Sequence, residues 1–466
     1  MKAEILLNIL NSDRGKTLLA SLYGPGGVEA ARRRYAALIQ GMLHWPEKPS
    51  AAGGTPAAAP GVLTGEFRVF TAAGRTELGG NHTDHNRGKV LAASIQLDSV
   101  AAAAPRRDKT VIFRSTGYPD VVVDLAAAGL SPREEERGST EALVRGIAAE
   151  FAARGVEVGG FTANADSTVL SGSGLSSSAA VEVLLGRIFD TLYGGGKCSA
   201  LEIAQIGQKA ENNYFGKPSG LMDQTACASG GAVSIDFADA AHPSVKQLLF
   251  DPAGLGYSLC VVDTRGSHAD LTPDYAAIPA EMNAVARFFG KQVLQEVGRE
   301  RFFSQIGELR RSLGDRAVLR SLHFFEENRR VEAMEAALGI METAPAEAKE
   351  QAMNHYLELV NESGHSSWEL LQNVYSPQKV RDQGISLALA LSRDFLKKSQ
   401  NTSAAAGGGI SRGACRVHGG GFAGTIQAYI PRELFDPYRT AMEGVFGAGA
   451  VTELRIRPIG AAELEF

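Results

Sequence analysis

The chain is poor in cysteine and tryptophan. Its four cysteines, Cys198, Cys227, Cys260 and Cys415, are scattered through 466 residues with no C-x-x-C pair. That spacing suits reduced, mostly buried thiols better than a disulfide framework or a zinc site. No apolar run approaches the length needed to cross a bilayer, and the N-terminal stretch lacks a basic segment followed by a long apolar core. Neither a membrane span nor a secretory leader is expected, and the expected location is cytoplasmic. Positive charge is not in excess either: 47 Lys and Arg face 52 Asp and Glu, a net charge of −5. Nothing in that balance favours nucleic acid or an anionic membrane as a partner.

What is present describes a globular protein, 44% hydrophobic and 21% charged, long enough for two domains. Residues 1–45 read as a helical extension, with Leu6, Ile9, Leu10, Leu18, Leu19 and Leu22 on one apolar face. Residues 46–61 (PEKPSAAGGTPAAAPG) read as a linker. On that reading the extension is an appendage, and a chain starting near Pro60 should fold without it. Its apolar face must still bury, on the rest of the chain or on a second subunit. Gly15-Lys16-Thr17 looks like the end of a P-loop, but Leu10 stands where the first glycine is required. From Phe67 onward the pattern is mixed α and β. Strands are expected at Phe67–Thr71, Val90–Ile95, Val111–Arg114, Phe161–Val169, Gly256–Asp263, Thr425–Tyr429 and Val451–Ile456. Helices are expected over Arg133–Arg154, Ser199–Asn213 and most of Tyr275–Leu396, and glycine-broken loops over Ala73–Gly88, Tyr214–Gly231 and Gly407–Gly424.

The most informative stretch is Leu170–Ala180, LSGSGLSSSAA, between the strand at Phe161 and a helix starting near Ser177. Gly172 and Gly174 admit backbone angles closed to other residues and let a ligand approach. The first-turn N–H groups and the positive end of the helix dipole face the loop, and Ser176, Ser177 and Ser178 add hydroxyls. Strand, Gly/Ser loop and helix make an anion site suited to a triphosphate; one serine would be enough merely to cap the helix.

Three other constellations carry chemistry. Gly74-Arg75 with Gly79-Gly80-Asn81-His82-Thr83-Asp84-His85 suits a polyhydroxylated ligand, with a metal site or a solvated turn as competing readings. Glu211, Asp223 and Arg75 can supply a metal ligand, a base and a positive charge, which is what phosphoryl transfer asks of a protein. His418-Gly419-Gly420-Gly421-Phe422-Ala423-Gly424, before a strand, indicates close backbone approach.

Taken in order, GRTELGGNHTDHNRGKVL, LSGSGLSSSAA, AQIGQKAENNYFGKPSGLMDQ and CRVHGGGFAG resemble the motifs of the GHMP small-molecule kinases, most closely the galactokinases. The first is similar to the galactokinase signature, GR-x-NLIGEHTDY-x-x-G-x-VL. The resemblance runs from about Phe67 to the C-terminus. It implies an α+β fold with a mixed-sheet domain over 62–255 and a ferredoxin-like α+β domain over 256–466, with ATP and sugar between them. It implies Asp223 as base for the sugar's anomeric hydroxyl, with Arg75 stabilising the transferred phosphate. Gly172, Ser173, Gly174, Leu175, Ser176, Ser177 and Ser178 would form the ATP loop, Ser178 and Glu211 would bind Mg²⁺, and Asn81, His82, Thr83, Asp84 and Tyr275 would lie at the sugar. Asn81 replaces the signature's glutamate, which accepts from the sugar's distal hydroxyl. His85 replaces its tyrosine, Leu170 a proline, and His418 a threonine of the third motif. The function implied is ATP-dependent 1-phosphorylation of galactose or a close relative. The alternatives are a galacturonate or amino-sugar kinase, and a silent sugar sensor, against which Ser176–Ala180 and Asp223 stand intact. A monomer or a homodimer fits equally.

Overall fold

The computed structural model describes residues 1–43, 66–126, 130–170, 172–266, 271–405 and 413–465. The linker expected at 46–61 lies outside the described residues.

A long hairpin is the spine of the molecule. Its strands, β1 (Arg68–Gly79) and β2 (Lys89–Pro105), pair antiparallel from Arg68↔Ala103 to Gly79↔Leu91, with irregularities after Ala73 and Glu77. The sheet continues with β3 (Thr110–Ser115), β4 (Val121–Asp124), β5 (Phe161–Ser167), β6 (Ala232–Asp236) and β7 (Ser244–Leu248). Strands β8 (Tyr257–Asp263), β9 (Ala414–His418), β10 (Thr425–Pro431), β11 (Val451–Leu454) and β12 (Ala462–Glu463) follow. The first sheet runs β12-β1-β2-β5-β3-β4, with β6 also on β2 and β7 beside it. It is mixed, since β3 and β5 run parallel. The second sheet, β11-β8-β10-β9, is antiparallel, and its order is the ferredoxin-like one. The C-terminal β12 returns to β1 of the first sheet, at Phe70↔Glu463.

Successive β2 side chains point to opposite faces, and both faces are covered. Val100, Ala102 and Ala104 join one core with helices α1 (Ala3–Asn11), α2 (Asp13–Tyr23) and α3 (Val28–Leu43). Ala101 and Ala103 join another with α4 (Thr140–Ala153), α5 (Ser177–Phe189), α6 (Ala200–Ala210) and α7 (Met222–Ser229). Helices α8 (Thr272–Phe288), α9 (Arg299–Ser304), α10 (Ile306–Leu313), α11 (Asp315–Thr343) and α12 (Ala346–Ser366) follow β8. The second sheet packs on α13 (Gly384–Ala405) and α14 (Phe435–Phe446).

The extension is therefore no appendage. Its helices cover one face of the first sheet and seal a fully buried carboxylate, Asp98. Tyr23 donates to Asp98 at 2.5 Å, Arg34 at 2.6 Å, and Thr71 and Arg457 at 2.7 Å each.

Other boundaries differ from expectation for local reasons. The loop expected at Ala73–Gly88 is strand as far as Gly79, and β2 runs on through an alanine-rich stretch. The loop expected at Tyr214–Gly231 contains α7, and Gly407–Gly424 contains β9. The helix expected from Arg133 begins at Thr140, where Ser139 accepts from Ala142 N.

Candidate active site

The site forms where β1, the Leu170–Ala180 loop and α7 meet. A left-handed backbone at Gly174 (φ 70°) and Ser176 (φ 61°) folds the loop back toward β1. Arg75 N donates to Leu175 O at 3.1 Å, and Arg75 Nη1 donates to Gly174 O. The Ser176 side chain does not cap α5. Its hydroxyl donates instead to Asp223 Oδ2 at 2.5 Å, while Arg75 Nε donates to Asp223 Oδ1 at 2.8 Å. Burial would raise the Asp223 carboxyl, but Arg75 and the Ser176 hydroxyl hold it below the usual range. The carboxylate lies in the first turn of α7, where the helix dipole favours negative charge.

Glu211 stands at the start of a π-turn, Glu211–Phe215, that extends α6 and turns this carboxylate inward. Its Oε1 accepts from Lys217 Nζ at 2.8 Å. Its Oε2 accepts from Ser219 Oγ at 2.5 Å and Gln224 Nε2 at 2.9 Å. The same Gln224 nitrogen donates to Glu182 Oε2 at 2.9 Å. Glu182 is fully buried on α5, and its Oε1 has no partner.

The signature turn faces the third glycine motif. Asn81 Nδ2 donates to Gly419 O at 2.7 Å, His82 Nε2 to Gly420 O at 2.9 Å, and Tyr275 Oη to Gly421 O at 2.7 Å. Burial, with His85 close by, lowers the His82 ring to about 4, so it is neutral. His418 ties the motif to both other loops. Its Nδ1–H faces Thr425 Oγ1 at 3.1 Å, and Thr425 in turn donates to Ser173 O at 2.9 Å. Its Nε2 accepts from Thr76 Oγ1 at 3.0 Å and Glu77 N at 3.3 Å. Burial and the nearby Arg75 and Arg416 charges keep this ring far below its ordinary range.

Comparison with known proteins bears on this arrangement. The model of the GHMP kinases N terminal domain matches residues 142–231, and that of the galactokinase galactose-binding signature matches 62–105. A galactokinase of Streptomyces coelicolor is 32% identical over 83% of this chain and 91% of its own. One from Glaesserella parasuis is 29% identical over 79% and 86%. The chain belongs to the galactokinase family. It is accordingly a sugar kinase, and use of ATP comes with that membership. A crystal structure of Lactococcus lactis galactokinase complexed with galactose matches with a TM-score of 0.68 at 25% identity, over 86% of this chain and 96% of the other. The Methanococcus jannaschii mevalonate kinase shares the fold at a TM-score of 0.55 and 12% identity, over 84% and 99%. The GHMP kinase fold is thus established.

Against that family pattern, the expected residues fall into groups. Arg75, Ser176 and Asp223 converge. His82, Asp84 and Tyr275 border the third glycine turn or α7; a β-carbon on Gly220 would lie 2.0 Å from Asp84 Oδ2, so Gly220 keeps that approach open. Gly172, Ser177 and Ser178 are accessible, whereas the Ser173 and Leu175 side chains are buried, leaving only their backbone to a ligand. Ser173 Oγ donates to Leu170 O at 2.6 Å. Thr83 does not present its hydroxyl to a ligand: it is fully buried and bonded to the carbonyls of Lys89 at 2.6 Å and Gly80 at 2.9 Å. Asn81 is also buried, with its polar atoms engaged. Among the described residues no group of three or more His, Cys, Asp or Glu is placed to hold a metal ion, the competing reading of His82, Asp84 and His85. Sequence reasoning missed Glu77, Lys217, Gln224, Asn373 and Arg416; of these Gln224, beside Asp223 in the LMDQ motif, and Glu77, at the asparagine position of the sugar signature, carried a local signal.

No described helix is long and apolar enough to cross a membrane.

Proposed function

We propose that the chain transfers the γ-phosphoryl group of ATP to the anomeric hydroxyl of galactose, giving galactose 1-phosphate and ADP. The observation that carries this reading is the junction at Asp223. One ionised carboxylate is held by Arg75 of the sugar-signature strand and Ser176 of the phosphate loop. Asp223 orients the anomeric hydroxyl and takes its proton as the oxygen attacks phosphorus and the bond to the ADP oxygen breaks. Arg75, between base and loop, meets the charge of the transferred group. The loop N–H groups and the start of α5 hold the other phosphates. His82, Asp84 and Tyr275 hold the sugar.

Mg²⁺ fits the residues present. Glu211 is a nearly buried carboxylate that already attracts a cation, the Lys217 ammonium, and Ser178 offers an exposed hydroxyl at the start of α5. Hard oxygen donors, few from protein, suit Mg²⁺. Ser178 and Glu211 would hold it, and it would neutralise charge on the phosphates. The Lys217 ammonium would then leave Glu211.

ADP release coupled to NADH oxidation, run with galactose, galacturonate, galactosamine, glucose and arabinose, tests this reading. Galactose is expected to give the highest kcat/KM. Absence of galactose-dependent ADP release would overturn the proposal. The close relatives are galactokinases, so neither the uronate kinase nor the silent sensor is favoured.

A further inference from the structure

Two positions of the sugar signature have exchanged side chains. In NLIGEH the asparagine stands where this chain has Glu77, and the glutamate where it has Asn81. The structure brings the two into contact. Glu77 lies two residues beyond Arg75 on β1, hence on the same side of the strand, and is 2% exposed. Asn81 is 1% exposed, and its Nδ2 lies 3.1 and 3.3 Å from the two Glu77 oxygens. From β9 the fully buried Arg416 pairs with Glu77.

The neighbours fix which way the amide points. A carboxylate and a carbonyl only accept, so the Asn81 nitrogen must face Glu77 and Gly419 O, 2.7 Å away. Asn373 Nδ2 donates to Gly420 O at 3.1 Å and to Asn81 Oδ1 at 2.8 Å. The Asn81 oxygen is thereby closed off inside the wall, while one of its N–H groups points at the glycine turn beside His82.

We infer that Glu77 and Asn81 act as a reciprocal carboxylate–amide pair that determines sugar recognition. The charge sits inside the wall, neutralised by Arg416, and an N–H donor faces the sugar where the signature places an acceptor. This inference rests on the galactokinase reading. A sugar hydroxyl meeting Asn81 takes the N–H that Gly419 O receives here, and so offers a lone pair rather than its proton. The pair also conserves charge. Asn81→Glu alone would add a second buried carboxylate beside the Glu77–Arg416 pair, and Glu77→Asn alone would strip Arg416 of its carboxylate.

The test is a double-mutant cycle on the full chain, with the wild type, Asn81→Glu, Glu77→Asn and the double exchange. Each single variant is expected to lower the thermal midpoint by at least about 5 °C, and the double exchange to regain at least about half of that loss. In parallel, kcat/KM is measured for galactose and its 2-, 4- and 6-deoxy analogues. The galactose preference over one analogue should change about fivefold or more in the double exchange, with the other two ratios held. A double exchange that regains no thermal stability, or fails to fold, overturns the reciprocal pair. One that folds but leaves all three ratios within about twofold overturns its role in recognition. A wild type inactive on galactose removes the galactokinase reading instead, and the thermal cycle still decides whether the pair is reciprocal.

Discussion

Ser176 donates a 2.5 Å hydrogen bond to Asp223 from a left-handed backbone, φ 61°. A non-glycine residue in that region is strained by roughly 1–2 kcal/mol, so the bond locks the Leu170–Ala180 loop onto Asp223, the proposed base, at some cost in stability. Asp223→Asn should lower kcat by roughly 10²-fold or more with ATP binding nearly unchanged. Steady-state kinetics and equilibrium nucleotide titration check this; near-wild-type kcat would remove Asp223 from the chemistry.

The same bond sets an expected pH profile. Arg75 and Ser176 hold the Asp223 carboxyl low against the effect of burial, so the ionised carboxylate persists into acid. Ser176→Ala removes one of these influences, and the acidic limb of kcat/KM should move to higher pH. An unmoved limb would mean that some other group governs it.

Lys217 and Glu211 bear on the proposed metal site. With Nζ 2.8 Å from Glu211 Oε1, the ammonium competes with a divalent cation for that oxygen. Lys217→Met should tighten binding of Mn²⁺ to the nucleotide-free protein by several-fold, and Glu211→Ala should weaken it, both read by electron paramagnetic resonance. If Glu211→Ala leaves Mn²⁺ binding intact, Glu211 is only a structural carboxylate.

Glu182 gives a stability signature. Burial, and secondarily the Glu211 charge, raise its carboxyl to about 8, so folding favours the protonated form. Its contribution is full below the unfolded carboxylate range, is lost as pH rises toward 8, and stays lost above that. Glu182→Gln keeps the shape and an acceptor for Gln224, so its melting temperature should fall less than that of wild type between pH 5 and pH 9. Parallel curves would place the Glu182 titration in the ordinary range.

What could be read from the sequence followed from how local each signal is. The phosphate loop, Arg75 and Asp223 stood out because glycine, serine and acidic residues at short spacing have few other reasons to occur together. The second half of β2 was hidden because DSVAAAAP carries a helix-forming composition. It becomes strand because small side chains let helices pack on both faces, a tertiary cause. Helix α7 was obscured by flanking glycines, and Thr83 looked like a ligand group while closing its own turn. Asp98 and Arg457, 359 residues apart, form a pair that no window of sequence can reveal.

The contacts that Tyr23 and Arg34 make with the same Asp98 reverse the expectation for the N-terminus. Cutting before residue 62 would strip Val69, Val100, Ala102 and Ala104 of their cover and expose one face of the first sheet to water. It would also remove Tyr23 and Arg34, two of the four side chains that satisfy Asp98. Only Arg457 and Thr71 would then face a carboxylate opened to solvent, and burial could no longer be balanced as it is when Arg34, Arg457 and Tyr23 together hold Asp98 below its ordinary range. The truncated chain should therefore be insoluble or aggregate. Two point variants separate lost cover from lost charge pairing. Arg34→Met keeps much of the packing and should cost about 3 kcal/mol, while Tyr23→Phe removes one hydrogen bond to the carboxylate and should cost about 1.5–3 kcal/mol. Urea unfolding measures both. Galactose kinetics of the folded variants should stay near wild type, since the active site opens on the other side of β1. A soluble, active chain lacking residues 1–61 would show that the sheet tolerates an open face and that the three helices are dispensable after all.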